Sequence, residues 1–366
     1  MQQSMNYQAP WWLPGGNLQT IWAARHARRY AKGVPVFRRE RWVTPDGDFV
    51  DVDQTDQAPT LPASRGSLPP EGALRLRPGE AGSTALAGGW AAPTLPNRQA
   101  SQPPLLVLFH GLEGSSGSHY AQAFAEVASQ RGWAFAVPHF RGCSGELNLA
   151  PRAYHSGDFA EIDWILRRFA AAHHGPVVAV GVSLGGNALM RWAGEFGQEA
   201  GQVVAAVASV CAPLDLSASG HAIGRGFNRQ VYTRMFLKSM VPKALEKLAQ
   251  HPGLFDRKAL LAARDLYAFD NIFTGPLHGF KGVDDYWKRA SAKPHLGQIA
   301  VPALVLNALN DPFIPAVSLP QRVDVSAQVT LWQPAHGGHV GFPASVFPAH
   351  VRAMPEAIMD FFAAHL

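Results

Sequence analysis

The sequence predicts an α/β protein in which helices cover both faces of a mostly parallel sheet and a helical insertion lies over one edge. Three observations predict this class. From residue 103 onward, short β-branched apolar runs alternate with stretches whose apolar residues recur three and four apart, the signature of βαβ units. Hydrophobic residues make up 47% of the chain and charged residues only 16%, which suits a sheet buried on both faces. A chain of 366 residues exceeds the roughly 200–250 that such a fold needs, so one domain carrying insertions is expected rather than two independent domains.

The elements follow in order. Residues 38–52 alternate apolar and polar around Pro45-Asp46-Gly47, which predicts a hairpin and an antiparallel start to the sheet. Residues 54–102 are rich in Pro, Gly, Ala and Ser with little periodicity, and read as a surface excursion holding a short strand near 85–90. Strands are expected at 104–110, 133–140, 176–183, 203–211, 301–309 and 329–334, with helices at 118–130, 158–172, 187–195 and 349–366. Asp158 with Glu161 three residues on resembles a capping box. Residues 214–294 break the alternation with a helical, aromatic-rich pattern. Insertions after core strands gather at the carboxyl edge of the sheet, where ligands bind, so this segment reads as a cap over a core of residues 1–213 and 295–366.

Composition excludes several function classes. Two cysteines, Cys143 and Cys211, are too few for a disulfide framework and sit in no metal-type cluster. The N-terminus lacks the basic start and apolar centre of a signal peptide, and no stretch of about 18 uncharged apolar residues occurs. A soluble, cytoplasmic protein is therefore expected. The formal charge of +5 comes from scattered pairs such as Arg28-Arg29 and Arg167-Arg168, with no basic block interleaved with aromatics, so nucleic acid is not an expected partner. Peripheral contact with anionic lipid headgroups is compatible with that charge.

The chemistry concentrates in Gly181-Val182-Ser183-Leu184-Gly185, which follows an apolar run and precedes a helical pattern. A serine hydroxyl attacks a carbonyl only when a tight strand-to-helix turn projects it, and flanking glycines remove the side chains that would block that turn. Ser183 is thus the candidate nucleophile. In folds built on such an elbow, a carboxylate and then a histidine follow in the chain. Asp311, in the turn Asn310-Asp311-Pro312 past a predicted strand, is the candidate acid, although an aspartate before proline also makes Asx turns. Asp215 and Asp324 are weaker candidates. Two histidines compete for the base in Ala335-His336-Gly337-Gly338-His339; His339, beyond the glycine pair, has the better reach. His336 with His339 as a metal site lacks further ligands at suitable spacing. Oxyanion donors are expected at the amides of Leu184, after the nucleophile, and Leu112, in the loop His110-Gly111-Leu112-Glu113-Gly114. His110 precedes the nucleophile in the chain, which suits a supporting role.

These residues resemble the α/β-hydrolase fold and, more narrowly, the YheT-type hydrolases related to the eukaryotic abhydrolase-domain proteins 1 and 3. The resemblance rests on Asn17-Leu18-Gln19-Thr20, Asp46-Gly47-Asp48-Phe49, His110-Gly111-Leu112-Glu113-Gly114-Ser115-Ser116, Phe140-Arg141-Gly142-Cys143-Ser144-Gly145-Glu146, Gly181 to Asn187, and Gly337-Gly338-His339-Val340-Gly341-Phe342. It implies a triad of Ser183, Asp311 and His339 and an esterase-like activity. Residues 54–102 depart from it. The expected function is a cofactor-free serine carboxylesterase acting on a small-molecule ester with an apolar acyl or alcohol group. The alternatives are a (lyso)phospholipase or lipase, or a catalytically silent ligand-binding protein on the same scaffold.

Overall fold

The computed structural model describes residues 7–27, 36–55 and 102–366. Helix α1 (Gly15–His26) precedes a hairpin of β1 (Arg38–Val43) and β2 (Phe49–Gln54), with Gly47 in its turn at φ 78°. β3 (Leu105–Phe109), α2 (His119–Gln130), β4 (Ala134–Pro138), α3 (Phe159–Ala172), β5 (Val177–Val182), α4 (Leu184–Phe196) and β6 (Ala206–Val210) then alternate. A run of helices follows: α5 (Leu216–Ile223), α6 (Gly226–Asn228), α7 (Arg234–Gln250), α8 (Arg257–Ala262), α9 (Leu266–Ile272), α10 (Thr274–Leu277) and α11 (Val283–Ala290). β7 (Ala303–Leu306), β8 (Val329–Trp332) and α12 (Ala353–Ala363) complete the order.

Among the described residues, eight strands form one sheet in the order β1-β2-β4-β3-β5-β6-β7-β8. The β1/β2 and β2/β4 pairs are antiparallel, and every other pair is parallel. Alternation along each strand feeds two cores. Leu105, Val107 and Phe109 of β3 join α3 and α4 on one face, while Leu106 and Leu108 join α2 and α12 on the other. The parallel register leaves the carboxyl ends level, since Val182 pairs with Val210, Val210 with Leu306 and Leu306 with Trp332. Loops after β5, β6, β7 and β8 therefore leave the sheet side by side.

From β3 onward the strand cores lie where expected, and their ends are trimmed by at most three residues, with the start of β8 at Val329 unchanged. Gln54 still belongs to β2, and the Thr55 amide donates to Phe135 O, so the chain remains on the sheet where the excursion was expected to begin. The strand expected near 85–90 lies outside the described residues. Helix α4 starts at Leu184, not 187, because Gly185 and Gly186 lie inside the helix rather than before it. A Cβ on Gly185 would stand 2.4 Å from Phe109 O, so glycine there permits close helix-sheet approach. Asp158 caps α3 by accepting from the Glu161 amide, but the Glu161 side chain turns to Arg141 instead of closing a capping box. Helix α12 begins at Ala353, after a bridge between Ala344 and His350 uses the preceding backbone. The helical run leaves and rejoins the sheet at one neck, where the Lys293 amide donates to Leu214 O. Among the described residues no helix is long and apolar enough to cross a membrane.

Candidate active site

Strand β5 runs directly into α4, and Ser183 sits at the junction with φ 52° and ψ −119°, a left-handed conformation unusual for a residue with a side chain. Its amide is held by Val210 O at 2.8 Å. A Cβ on Gly181 would lie 2.4 Å from Gly185 O, so the turn closes only without one. His339, in the loop after β8, places Nε2 3.0 Å from Ser183 Oγ. Its Nδ1 lies 2.9 Å from Asp311 Oδ2, in the loop after β7. A carboxylate only accepts, so Nδ1 carries the proton and Nε2 is left to accept from the serine hydroxyl. The other oxygen of Asp311 accepts the Phe313 amide at 2.8 Å, an Asx turn. The turn and the imidazole contact coexist on one side chain.

The histidine loop is held from an unexpected direction. Gln19 and Thr20 of α1 accept from the amides of Gly337 and His339 at 2.9 and 2.8 Å, and Asn310 Oδ1 accepts from Gly338 at 3.0 Å. Phe313 lies against the His339 ring with centroids 4.2 Å apart, and Tyr232 meets Phe313 edge-on. Sequence reasoning missed α1 as a support; its one signal was the segment Asn17-Leu18-Gln19-Thr20, quoted only as a point of resemblance.

In the loop after β3, the Gly111 amide donates to Tyr120 Oη, that of Glu113 to Tyr154 Oη, and that of Gly114 to Gly111 O. The Leu112 amide has no protein acceptor among the described residues, and the Leu184 amide belongs to the unpaired first turn of α4. A Cβ on Gly111 would lie 3.1 Å from Ser183 Cβ, so this loop runs against the elbow. Glu113, at φ 56°, pairs with Lys243 of α7 at 2.9 Å and accepts from Tyr154 Oη at 2.9 Å. That link between loop and insertion carried no sequence signal.

The remaining candidates lie elsewhere. His110 is buried, and its Nε2 accepts from the Phe140 amide while Nδ1 donates to Gly111 O. Burial, with the nearby His139, pushes its pKa down to about 3, so it is neutral and structural. His336 is exposed and faces Asn310. Asp215 caps α5 through the Ala218 amide, and Asp324 accepts from the Gln321 amide. Cys211 stands behind the trio, and burial together with Asp311 holds its thiol well above the usual range. Among the described residues, Cys211, Asp311 and His339 form the one compact metal-type grouping, and His336 is not part of it.

Ser183, Leu184 and His339 open onto a cavity of about 160 Å³, an order of magnitude more than the roughly 10–15 Å³ that one water requires. Phe236, Met240, Phe269, Phe273 and Trp287 of the insertion form its apolar wall. Two other aromatics of the insertion, Phe227 and Tyr232, are not in the lining: Phe227 is exposed, and Tyr232 is buried with its hydroxyl donating to Asn17 Oδ1.

The α/β hydrolase fold family model matches residues 104–344. The chain is 41% identical over 329 residues to "Putative esterase YheT" of Escherichia coli (strain K12), covering 89% of this chain and 84% of that protein. It is 28% identical to "Phospholipase ABHD3" of Mus musculus over 72% of this chain, and spans 64% of that longer protein. Among solved structures, a bacterial membrane phospholipase A superposes with a TM-score of 0.52 at 13% identity, covering 95% of this chain and 92% of that one. That likeness bears on fold alone. With an elbow, a parallel sheet and a near-complete alignment in agreement, the chain belongs to the α/β-hydrolase family and, within it, to the group that contains YheT.

Proposed function

We propose that the protein is a serine hydrolase that cleaves carboxylic esters through an acyl-enzyme. The observation that carries this reading is the run of hydrogen bonds from Ser183 through His339 to Asp311 at the floor of an apolar pocket. Ser183 Oγ attacks the ester carbonyl carbon as His339 Nε2 takes its proton, and Asp311 stabilises the resulting imidazolium. The carbonyl oxygen becomes an oxyanion facing the Leu112 and Leu184 amides, donors already in place before charge develops. Collapse of the tetrahedral intermediate expels the alcohol, which leaves with the proton from Nε2. Water then repeats the sequence on the acyl-enzyme, releasing the acid and restoring Ser183.

The insertion reads as a cap whose aromatic wall suits an apolar acyl or alcohol group. The names of the relatives, an esterase and a phospholipase, support ester hydrolysis and keep a (lyso)phospholipid as the second substrate reading. The hydrogen-bonded run of Ser183, His339 and Asp311 supports this reading over a silent binding protein. A fluorophosphonate probe should label the folded wild type and not Ser183→Ala; equal labelling would remove Ser183 from the nucleophile role. Hydrolysis rates from acetate to palmitate esters, with a lysophospholipid included, would then separate the substrate readings.

A further inference from the structure

The wall of the pocket has an outer side. Phe236 and Met240 of α7 line the cavity, whereas Phe227, Val231 and Met235, on the same helical run, are 54%, 37% and 56% exposed. Val231 lies in the π-helical turn Arg229–Thr233 that joins α6 to α7, and a spacing of about one turn along this run sets the three near one face. A single exposed apolar residue needs no explanation, but a row of three at helical spacing does.

The charge around that row has one sign. Residues 216–245 contain Arg225, Arg229, Arg234, Lys238 and Lys243 and no Asp or Glu. Lys243 turns inward to Glu113, while the other four are exposed and make no ion pair among the described residues. A groove beside α7 is lined by Arg229, Arg234, Lys238 and Arg264 around Leu237 and the partly exposed Leu261, next to the apolar row in the chain although Phe227, Val231 and Met235 do not line it. Unpaired cations interleaved with exposed Phe, Val and Met give this face an amphipathic chemistry of the kind that suits the headgroup layer of an anionic bilayer, where apolar groups reach the acyl boundary and cations meet the phosphates. An acidic protein surface would match the charge but leave the apolar row without a partner.

We propose that the outer face of α6 and α7 docks the protein on anionic lipid bilayers. Docking there sets the pocket wall against the phase in which apolar esters partition, a benefit that rests on the ester-hydrolase reading although the docking itself does not. The full-length protein should cosediment with phosphatidylcholine vesicles containing phosphatidylglycerol, less so at high salt, and not with phosphatidylcholine alone. Each surface cation contributes roughly fivefold to such binding, so Arg234→Gln with Lys238→Gln should weaken it roughly 25-fold. Phe227→Ser with Met235→Ser should also weaken it, without flattening the salt dependence. Both double variants should retain the wild-type melting temperature and turnover of a soluble short-chain ester. Ser183→Ala, inactive as an enzyme, should bind vesicles as the wild type does, which keeps failure of docking distinct from failure of the catalytic reading. Wild-type protein that ignores anionic vesicles, or double variants that bind unchanged, would overturn the proposal. So would a wild-type dimer that Phe227→Ser with Met235→Ser dissociates, since a second copy would then cover the face.

Discussion

At Asp311 the two carboxylate oxygens have separate partners, the Phe313 amide and the His339 imidazole. That division sharpens what Asp311→Asn should do. The Phe313 N–H keeps the amide oxygen on its own side, so the new NH2 faces Nδ1 and forces the imidazole proton onto Nε2, where it cannot accept from Ser183. The variant should keep its melting temperature and lose up to about 10⁴ in kcat, read with a soluble ester. His336→Ala, removing an exposed side chain near Asn310, should change kcat little by comparison with His339→Ala. His110 acts on stability instead. Its folded pKa is depressed to about 3 from the ordinary 6.5, so between those values the unfolded chain binds a proton that the folded chain refuses. Its contribution is complete above pH 6.5 and is lost as pH falls toward 3. Urea melts at pH 7 and pH 5 should show a smaller acid loss in His110→Asn than in wild type, by about 2 kcal/mol over that interval, because the limiting slope of about 1.4 kcal/mol per pH unit sets in only below pH 6.5.

Among the elements, α1 has the least obvious effect on chemistry. Thr20 Oγ1 accepts the amide of His339 itself, and it also donates to Gly16 O. Thr20→Val keeps the shape and leaves a part-buried amide unpaired, which should cost about 1–3 kcal/mol in a urea melt and lower kcat by loosening the imidazole. A kcat equal to wild type would mean that the loop holds His339 without α1. The sequence analysis could not see this helix as a support. Gly15 and Gly16 weaken its helical pattern, and its polar residues serve a loop more than 300 positions downstream. The core strands were legible because both faces are buried and the apolar runs are unbroken. The start of α4 was not, because a glycine that permits close packing reads in sequence like one that ends a helix.

On the scale of the whole molecule, the first hairpin and the helical insertion are joined through one loop. Asp48 accepts from Asn148 Nδ2 and the amides of Leu149 and Ala150, and the carbonyls of Asn148 and Ala150 take the ammonium of the buried Lys247 in α7. Burial alone would raise the Asp48 pKa, but these donors hold it below the ordinary value. Each of these ties joins residues about 100 positions apart, and no local spacing announces them. The same limit applied to the pocket. The aromatic-rich composition of residues 214–294 suggests a cap but does not say which aromatics turn inward, and of Phe227, Tyr232 and Phe236 the last alone lines the cavity. The order of Ser183, Asp311 and His339 was readable because each follows the carboxyl end of a strand, and the level parallel register carries those ends together.

The backbone at Ser183 bears on more than reactivity. At φ 52° and ψ −119° any residue with a Cβ is strained, at a cost on the order of 1–3 kcal/mol, whereas glycine occupies such a region freely. Ser183→Gly should therefore melt above Ser183→Ala, although glycine gives the unfolded chain more freedom. A melting point no higher for glycine would show that the elbow is relaxed. If this turn is strained, selection for heat resistance alone would favour discarding the proposed nucleophile, so assays of thermal survival and of turnover should rank the same library of variants in opposing orders at this position.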